Sequence, residues 1–151
     1  STCRAPVLTD HANFEAVATA CILASLLKAQ FAPELVRAGE DLPSSTAALL
    51  VVCTNGIFHQ SWVLRALSSA AKLHAGYVPI LADDAFRFPT PAFLEEHLTN
   101  AASVSENPGP ILQLIKDILA EIPIVFQPSL CSSTEKILAI KAEEIAQRLS
   151  N

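Results

Sequence analysis

The residue types best suited to chemistry occur in two short stretches of the chain. Residues 9–13 read TDHAN and offer a carboxylate, an imidazole and an amide. Residues 54–62 read TNGIFHQSW and end at Trp62, the only tryptophan in the sequence. Polar groups of these kinds can hold a small ligand by hydrogen bonds, and a tryptophan can form a wall on which a flat ring stacks. The two stretches together therefore suggest a binding site for a ligand with a planar ring.

Each of these residues also has a purely structural interpretation. A single tryptophan at the start of a helix is commonly a core aromatic. Asp10, His11 and Asn13 stand just before a predicted helix, where such side chains cap the helix and contact solvent. The residues alone leave both interpretations open.

Other combinations of reactive residues carry less weight. Cys53 and His59 are the types of a thiol nucleophile and its base, but Cys53 lies inside an apolar run, where a thiol is expected to be buried and inert. The four glycines form neither GxGxxG nor GxxxxGK[ST], so neither phosphate-binding loop is predicted. The four cysteines form no CxxC pair and have no zinc-ligand spacing with the histidines. We therefore expect reduced thiols and no metal site.

The elements that must position these stretches follow from the alternation of apolar runs and helical patterns. The predicted strands are 4–8, 32–39, 47–54, 77–83 and 122–128. The predicted helices are 13–30, 61–74, one that starts near Pro91, 111–122 and 133–150. Pro6 is expected to confine the first strand to an early or edge position.

Strands separated by helices predict an α/β fold with βαβ units. Right-handed crossovers and five strands favour a three-layer, flavodoxin-like arrangement: a parallel sheet in the order 2-1-3-4-5 with helices on both faces. Ligands in such folds bind beyond the carboxyl ends of the strands, at the switch point between strands 1 and 3. Residues 9–13 and 54–62 are the loops after those two strands, so topology places both at the predicted crevice.

Composition limits the class of protein. The chain has 151 residues, which suits a single domain, and its 51% hydrophobic content and mean hydropathy of +0.38 suit a sheet covered on both faces. The net charge is −5 without a basic stripe, so nucleic acid is not an expected partner. No apolar run reaches the roughly 20 residues of a bilayer span, and the start does not resemble a signal peptide. We expect a cytoplasmic domain, residues 1–151, cut from a longer protein.

One segment resembles a known family. The run ALLVVCTNGIFHQSWVLRAL resembles the third strand, loop and following helix of Toll/interleukin-1 receptor (TIR) domains, and YVPILADDAFRFPTP resembles the strand and Pro-rich loop that come next. The match covers about residues 47–95, while the first strand and helix match in pattern only. The loop after strand 2, RAGEDLPSS, falls where the family has its BB loop. The short connection from strand 2 to strand 3 hardly accommodates a full second helix, which departs from the family.

The resemblance implies one of two activities. Some TIR domains cleave the nicotinamide–ribose bond of NAD⁺ in immune or cell-death signalling, giving nicotinamide and linear or cyclic ADP-ribose, and others only assemble with further TIR domains. The enzymes carry a glutamate four residues after the tryptophan, whose carboxylate stabilises the oxocarbenium-like transition state. This chain has Ala66 at that position. The resemblance therefore implies an inactive glycohydrolase, either an engineered Glu-to-Ala form or a natural scaffold without the acid.

The resemblance also implies a set of site residues. Ala66 stands at the catalytic position, and Ser61 and Trp62 would contact NAD⁺ as the substrate, without a further cofactor. Asp10, His11 and Asn13 would border the nucleotide. The loop that would close the site or take part in assembly contains Gly39, Glu40, Asp41, Leu42 and Pro43. The alternatives to the enzyme are a scaffold that self-associates or binds other TIR domains, and an unrelated flavodoxin-like domain that processes nucleosides.

Overall fold

Five parallel strands form one sheet in the computed structural model, which describes residues 3–100, 109–121 and 123–151. The order along the sheet is β2-β1-β3-β4-β5, as the alternation of elements predicts. The strands are β1 (Cys3–Leu8), β2 (Phe31–Leu35), β3 (Ala48–Cys53), β4 (Gly76–Leu81) and β5 (Ile124–Val125). The α/β class and the flavodoxin-like strand order are confirmed.

Helices cover both faces of the sheet. They are α1 (Phe14–Leu27), α2 (Ser61–Lys72), α3 (Pro91–Asn100), α4 (Gly109–Ala120) and α5 (Glu135–Ser150), with a short 3₁₀ helix at Ile57–His59. α1 and α5 contribute to one apolar core, and α2, α3 and α4 to the other. β3 lies between them, with Leu49 and Val51 in one core and Leu50 and Val52 in the other. A strand that is buried on both faces reads as a continuous apolar run, which is why β3 is the clearest strand in the sequence.

Pro6 and Pro33 lie inside strands, each at a position where only one neighbouring strand is paired with it. Pro33 is in β2, which is an edge strand. Pro6 pairs with Glu34 of β2, while β1 pairs with β3 only at Val7 and Leu8. Because β1 is internal, Pro6 is accommodated by the late start of this second ladder and not by an edge position.

Several element boundaries differ from the prediction. β2 ends at Leu35 because the chain turns toward the loop at 37–46, whereas the prediction continued to residue 39. β5 has two residues, whereas 122–128 was predicted, and residue 122 lies outside the described part of the chain. Phe126 and Gln127 are buried beyond the end of the strand. Burial alone therefore made this segment resemble a longer strand. Across the described ranges, no helix combines the length and apolar character that crossing a membrane requires.

Candidate functional site

The loops after β1 and β3 meet at the carboxyl end of the sheet, as predicted, and Asp10 occupies the junction. Its side chain is 6% exposed, and its Oδ1 accepts a hydrogen bond of 3.0 Å from the Ala12 amide. Its carbonyl accepts another, of 3.1 Å, from the Asn13 amide. The Asn13 side chain in turn caps α1 by accepting from the Ala16 amide at 3.1 Å. These two residues thus hold the loop and begin the helix.

Gly56 allows the second loop to come close to the first. Its φ is +95°, and a Cβ at this position would lie 3.3 Å from Oδ2 of Asp10. Both conditions favour glycine, since an L side chain is strained at such a φ and would crowd the carboxylate. The turn leads into the 3₁₀ helix, which buries Ile57 and Phe58 and brings the chain to the start of α2.

Trp62 stands in the first turn of α2 and is half-buried. The His11 ring from the loop after β1 packs edge-on against it, with 4.8 Å between ring centroids and 61° between the planes. This contact joins the two stretches that the sequence singled out. The indole therefore borders the crevice and also packs against one of the two apolar cores.

Ala66 lies one turn after Trp62, and a polar loop covers it. The loop and α2 enclose a cavity of about 80 Å³, lined by Gly39, Glu40, Asp41, Leu42, Trp62, Arg65, Ala66 and Ser69. Ala66 is 6% exposed. The structure thus brings together the tryptophan, the position four residues later and most of the loop that the resemblance singled out. We call this space the Trp62 cavity.

The Trp62 cavity is small and contains acids only on its loop side. Its volume is well below the roughly 300–1,000 Å³ of typical small-molecule sites. α2 contributes Trp62, Arg65, Ala66 and Ser69, and the carboxylates belong to Glu40 and Asp41. In this conformation the site has neither the volume for a dinucleotide nor an acid on the helix.

Other residues of the predicted site lie elsewhere. Asn13 lines a separate cavity of about 230 Å³ between α1 and the ends of β3 and β4. Ser61 is exposed at the first residue of α2 and does not line the Trp62 cavity within the described structure. Pro43 follows Leu42 but is also outside that lining. Asp10 and His11 are outside the lining as well. All five residues would need a different conformation or a large ligand to take part in one site with Ala66.

Cys53 is confirmed as a buried structural thiol. It is 2% exposed, and burial raises the pKa of the thiol to about 12, against a smaller opposite effect of a backbone hydrogen bond at Ile80. Its Sγ donates to the Val51 carbonyl at 3.6 Å. His59 is exposed and packs against Phe93, with 4.8 Å between ring centroids. A thiol held in the neutral form and a base directed elsewhere do not form a nucleophilic pair.

A larger cavity, which the sequence did not reveal, lies beyond the ends of β3 and β4. It has about 450 Å³ and is lined by Thr54, Asn55, Gly56, Phe58, His59, Phe86, Arg87, Phe88, Pro89, Thr90 and Phe93. We call it the aromatic cavity. Four of the seven phenylalanines of the chain line it. Phe58, Phe86 and Phe88 lie in the segments that follow the neighbouring strands β3 and β4, and this concentration is the signal that could have identified the cavity.

Neither a possible metal site nor a comparison with known proteins indicates what this site binds. Within the described residues, no group of three or more His, Cys, Asp or Glu side chains is placed to hold a metal ion. No protein-family model matches the chain, and a search of curated proteins finds no match either.

Proposed function

We propose that this chain is a TIR-like domain of the NAD⁺-cleaving kind whose catalytic position holds Ala66, so that it can bind NAD⁺ but not cleave it. One observation carries the proposal. Trp62 and Ala66 of α2 and the loop at 39–42 line the same cavity. The loop and the helix are separate in the sequence, and the resemblance singles out both as parts of one site.

The chemistry of the site explains the inactivity. Cleavage of an N-glycosidic bond develops positive charge on the ribose, and a carboxylate close to the ribose stabilises that charge. Residues at i and i+4 of a helix share a face, so a ring held by Trp62 would place the ribose near position 66. The methyl group of Ala66 offers no charge there. Trp62 would retain its part in binding while the chemical step is lost.

Binding would require the loop to open. Leu42 is 7% exposed and belongs to the core, whereas Gly39, Glu40 and Asp41 are exposed. Gly39 has a φ of +83°, a conformation that glycine adopts readily. We propose that residues 39–41 move away from α2 while Leu42 anchors the loop, which enlarges the cavity beside Trp62.

Restoring the acid tests the enzyme proposal. We expect Ala66→Glu to release nicotinamide from NAD⁺ at a rate at least about a hundredfold above the parent chain, since transition-state charge stabilisation has effects of this size. Ala66→Gln is the matched control, because it has nearly the same shape without the charge. Ser69→Glu places an acid in the same cavity one turn away from Ala66. Nicotinamide is measured by chromatography at high protein concentration, which permits self-assembly.

The variants distinguish the outcomes. Activity in Ala66→Glu alone supports a position-specific carboxylate. Equal activity in Ser69→Glu would show that any local acid suffices and would contradict the assigned role of position 66. A folded Ala66→Glu variant without activity would refute the enzyme proposal. Circular dichroism and thermal unfolding establish folding, which matters because Ala66 is buried.

The second candidate is a scaffold that assembles through the loop. The small volume of the Trp62 cavity favours it, because the site as it stands does not admit NAD⁺. Trp62 is the only tryptophan, so its fluorescence reports on this cavity without interference. A scaffold predicts no change in emission on addition of NAD⁺ and a molecular mass that rises with protein concentration in light scattering. The NAD⁺-binding proposal predicts a saturable change in emission.

A further inference from the structure

The aromatic cavity is separate from the Trp62 cavity. The two have no lining residue in common, although both lie at the carboxyl end of β3. At about 450 Å³, the aromatic cavity falls within the range of small-molecule sites. Its phenylalanines come from the segment after β3, from the segment that connects β4 to α3, and from the first turn of α3. Such a lining favours a flat aromatic ring over a flexible polar chain.

The walls of the aromatic cavity are held in place without a ligand. The Asn55 side chain donates to the Ala85 carbonyl at 2.7 Å and accepts from the Arg87 amide at 2.9 Å. The Ala85 amide also donates to Oδ1 of Asp83 at 2.8 Å. Phe86 and Phe88 contact each other edge-on, with 5.3 Å between ring centroids. Because two loops are joined by these bonds, a ligand would bind with little ordering of the protein.

A buried polar group lines the cavity and is unsatisfied. Thr54 is 2% exposed, and its Oγ1 has no hydrogen-bond partner in the described structure. The residue lies between the aromatic cavity and the 230 Å³ cavity beside α1. A buried hydroxyl without a partner is unfavourable. Because Oγ1 itself has no exposed surface, the side chain would rotate about χ1 to bond to a ligand oxygen or nitrogen, and that bond would remove the penalty.

The charged groups that line the aromatic cavity indicate which aromatic ligands it would favour. Apart from His59, Arg87 is the only ionisable side chain in the described lining. Its Nη1 donates to the carbonyls of Asp84 and Phe86, at 3.2 and 3.1 Å. These bonds orient the guanidinium, whose further N–H groups suit a carboxylate or another small oxyanion. The chain as a whole has a net charge of −5, whereas this cavity is lined, within the described residues, by an arginine and by no carboxylate.

We infer that the aromatic cavity is a second binding site, for a planar aromatic molecule with an anionic group at its edge. The phenylalanines enclose the ring, Arg87 pairs with the anion, and the Thr54 hydroxyl bonds to a polar atom of the ligand. This inference does not depend on the proposed function, because no residue of the Trp62 cavity takes part.

Three probes test the chemistry on the unaltered protein. 2-Naphthoate has both the ring and the charge, 2-naphthamide has the ring alone, and cyclohexanecarboxylate has the charge alone. We expect isothermal titration calorimetry to give saturable binding of 2-naphthoate, about tenfold tighter than 2-naphthamide, with cyclohexanecarboxylate weakest. Amide chemical shifts should change at residues 54–56 and 86–88 and at Thr90 and Phe93. Equal affinities for the three probes, absence of binding, or shifts confined to the other end of the molecule would overturn the inference.

Two variants separate the roles of charge and hydroxyl. Arg87→Gln should reduce 2-naphthoate binding about tenfold and leave 2-naphthamide unchanged. Arg65→Gln is the matched control, since it makes the same change in the Trp62 cavity. Thr54→Val should weaken 2-naphthoate several-fold yet leave the midpoint of thermal unfolding unchanged or higher, because the hydroxyl has no partner in the free protein. Lower thermal stability with unchanged affinity would assign Thr54 a structural role and contradict its part in the site.

Discussion

The Trp62 cavity and the aromatic cavity occupy the same end of β3 and differ in almost every property. The first is small, closed by a polar loop and lined by two carboxylates from that loop. The second is more than five times larger, and its lining in the described structure is mostly apolar and includes a single arginine. The topology of a parallel sheet makes this end a general location for ligands, but it does not decide what the loops place there.

The difference also shows what each kind of sequence signal detects. Topology placed Trp62 at the predicted crevice, and the resemblance to TIR domains singled out Ala66 and the loop that lines the rest of the Trp62 cavity. The aromatic cavity is lined by phenylalanines, and phenylalanine is a residue that usually lies in the core. Phe88 is an exception, since it lines the cavity and is 55% exposed. Apolar residues concentrated in loops therefore merit the same scrutiny as polar ones.

The largest effect is expected at alkaline pH, from Cys53 at the end of β3. Burial raises the pKa of Cys53 to about 12 from an ordinary value of 9.0, so the folded protein retains a proton that the unfolded chain releases. Stability should be full below pH 9 and decrease by about 1.4 kcal/mol per unit as the pH rises from 9 toward 12, or about 4 kcal/mol in total. Urea unfolding of the parent and of Cys53→Ala between pH 8 and 11 measures this slope. Identical slopes in the two proteins would contradict the assignment.

Gly56 lines the aromatic cavity and lies next to Asp10 in the loop after β1, so a change there should disturb the junction of the two loops. Gly56→Ala is expected to lower the free energy of unfolding by about 2 kcal/mol, because of the positive φ and the contact with Asp10. Gly76→Ala is the matched control. Gly76 has no positive φ, and its added Cβ would meet the nearest atom at an ordinary 3.6 Å. Equal losses in the two variants, measured by urea unfolding, would show that the turn at Gly56 is not strained by a side chain.

A substitution at Asn55 should affect the aromatic cavity and leave the Trp62 cavity unchanged. Asn55→Ala removes both hydrogen bonds to the loop at 85–87 and is expected to lower stability by about 1–2 kcal/mol. Binding of 2-naphthoate should weaken, while the emission of Trp62 stays as in the parent. Gln113→Ala, which removes an exposed hydrogen bond on α4, is the control and should change neither. A shift in Trp62 emission would show that the cavities are coupled.

The smallest effect is expected at His11. His11→Ala removes the edge-on contact with Trp62 and should alter the emission of Trp62, with a loss of about 0.5 kcal/mol in stability. The same substitution at His59 removes a ring contact with Phe93 at the aromatic cavity. His59→Ala should leave the emission unchanged. An equal spectral change in both variants would show that Trp62 senses the whole end of the sheet.

Part of the candidate site was accessible from the sequence. The proximity of His11 and Trp62 follows from strand order, because the loops after neighbouring parallel strands meet at one edge. The roles of Asp10 and Asn13 could not be decided, since capping and ligand binding use the same residue types. In the structure Asn13 caps α1 and lies outside the Trp62 cavity. The 3₁₀ helix at Ile57–His59 lies within the predicted loop at 54–62, because three residues are too few to show a period.

The sequence by itself determined the class of fold and the order of the strands. Both depend on the period of apolar residues along the chain and on the fixed hand of parallel crossovers, which are local or general properties. Tertiary structure alone decided the sizes of the cavities, the burial of Ala66 beneath its loop and the position of the walls of the aromatic cavity. These depend on contacts such as that between Asn55 and Ala85, which are 30 residues apart. No pattern within one segment can specify a distance between two.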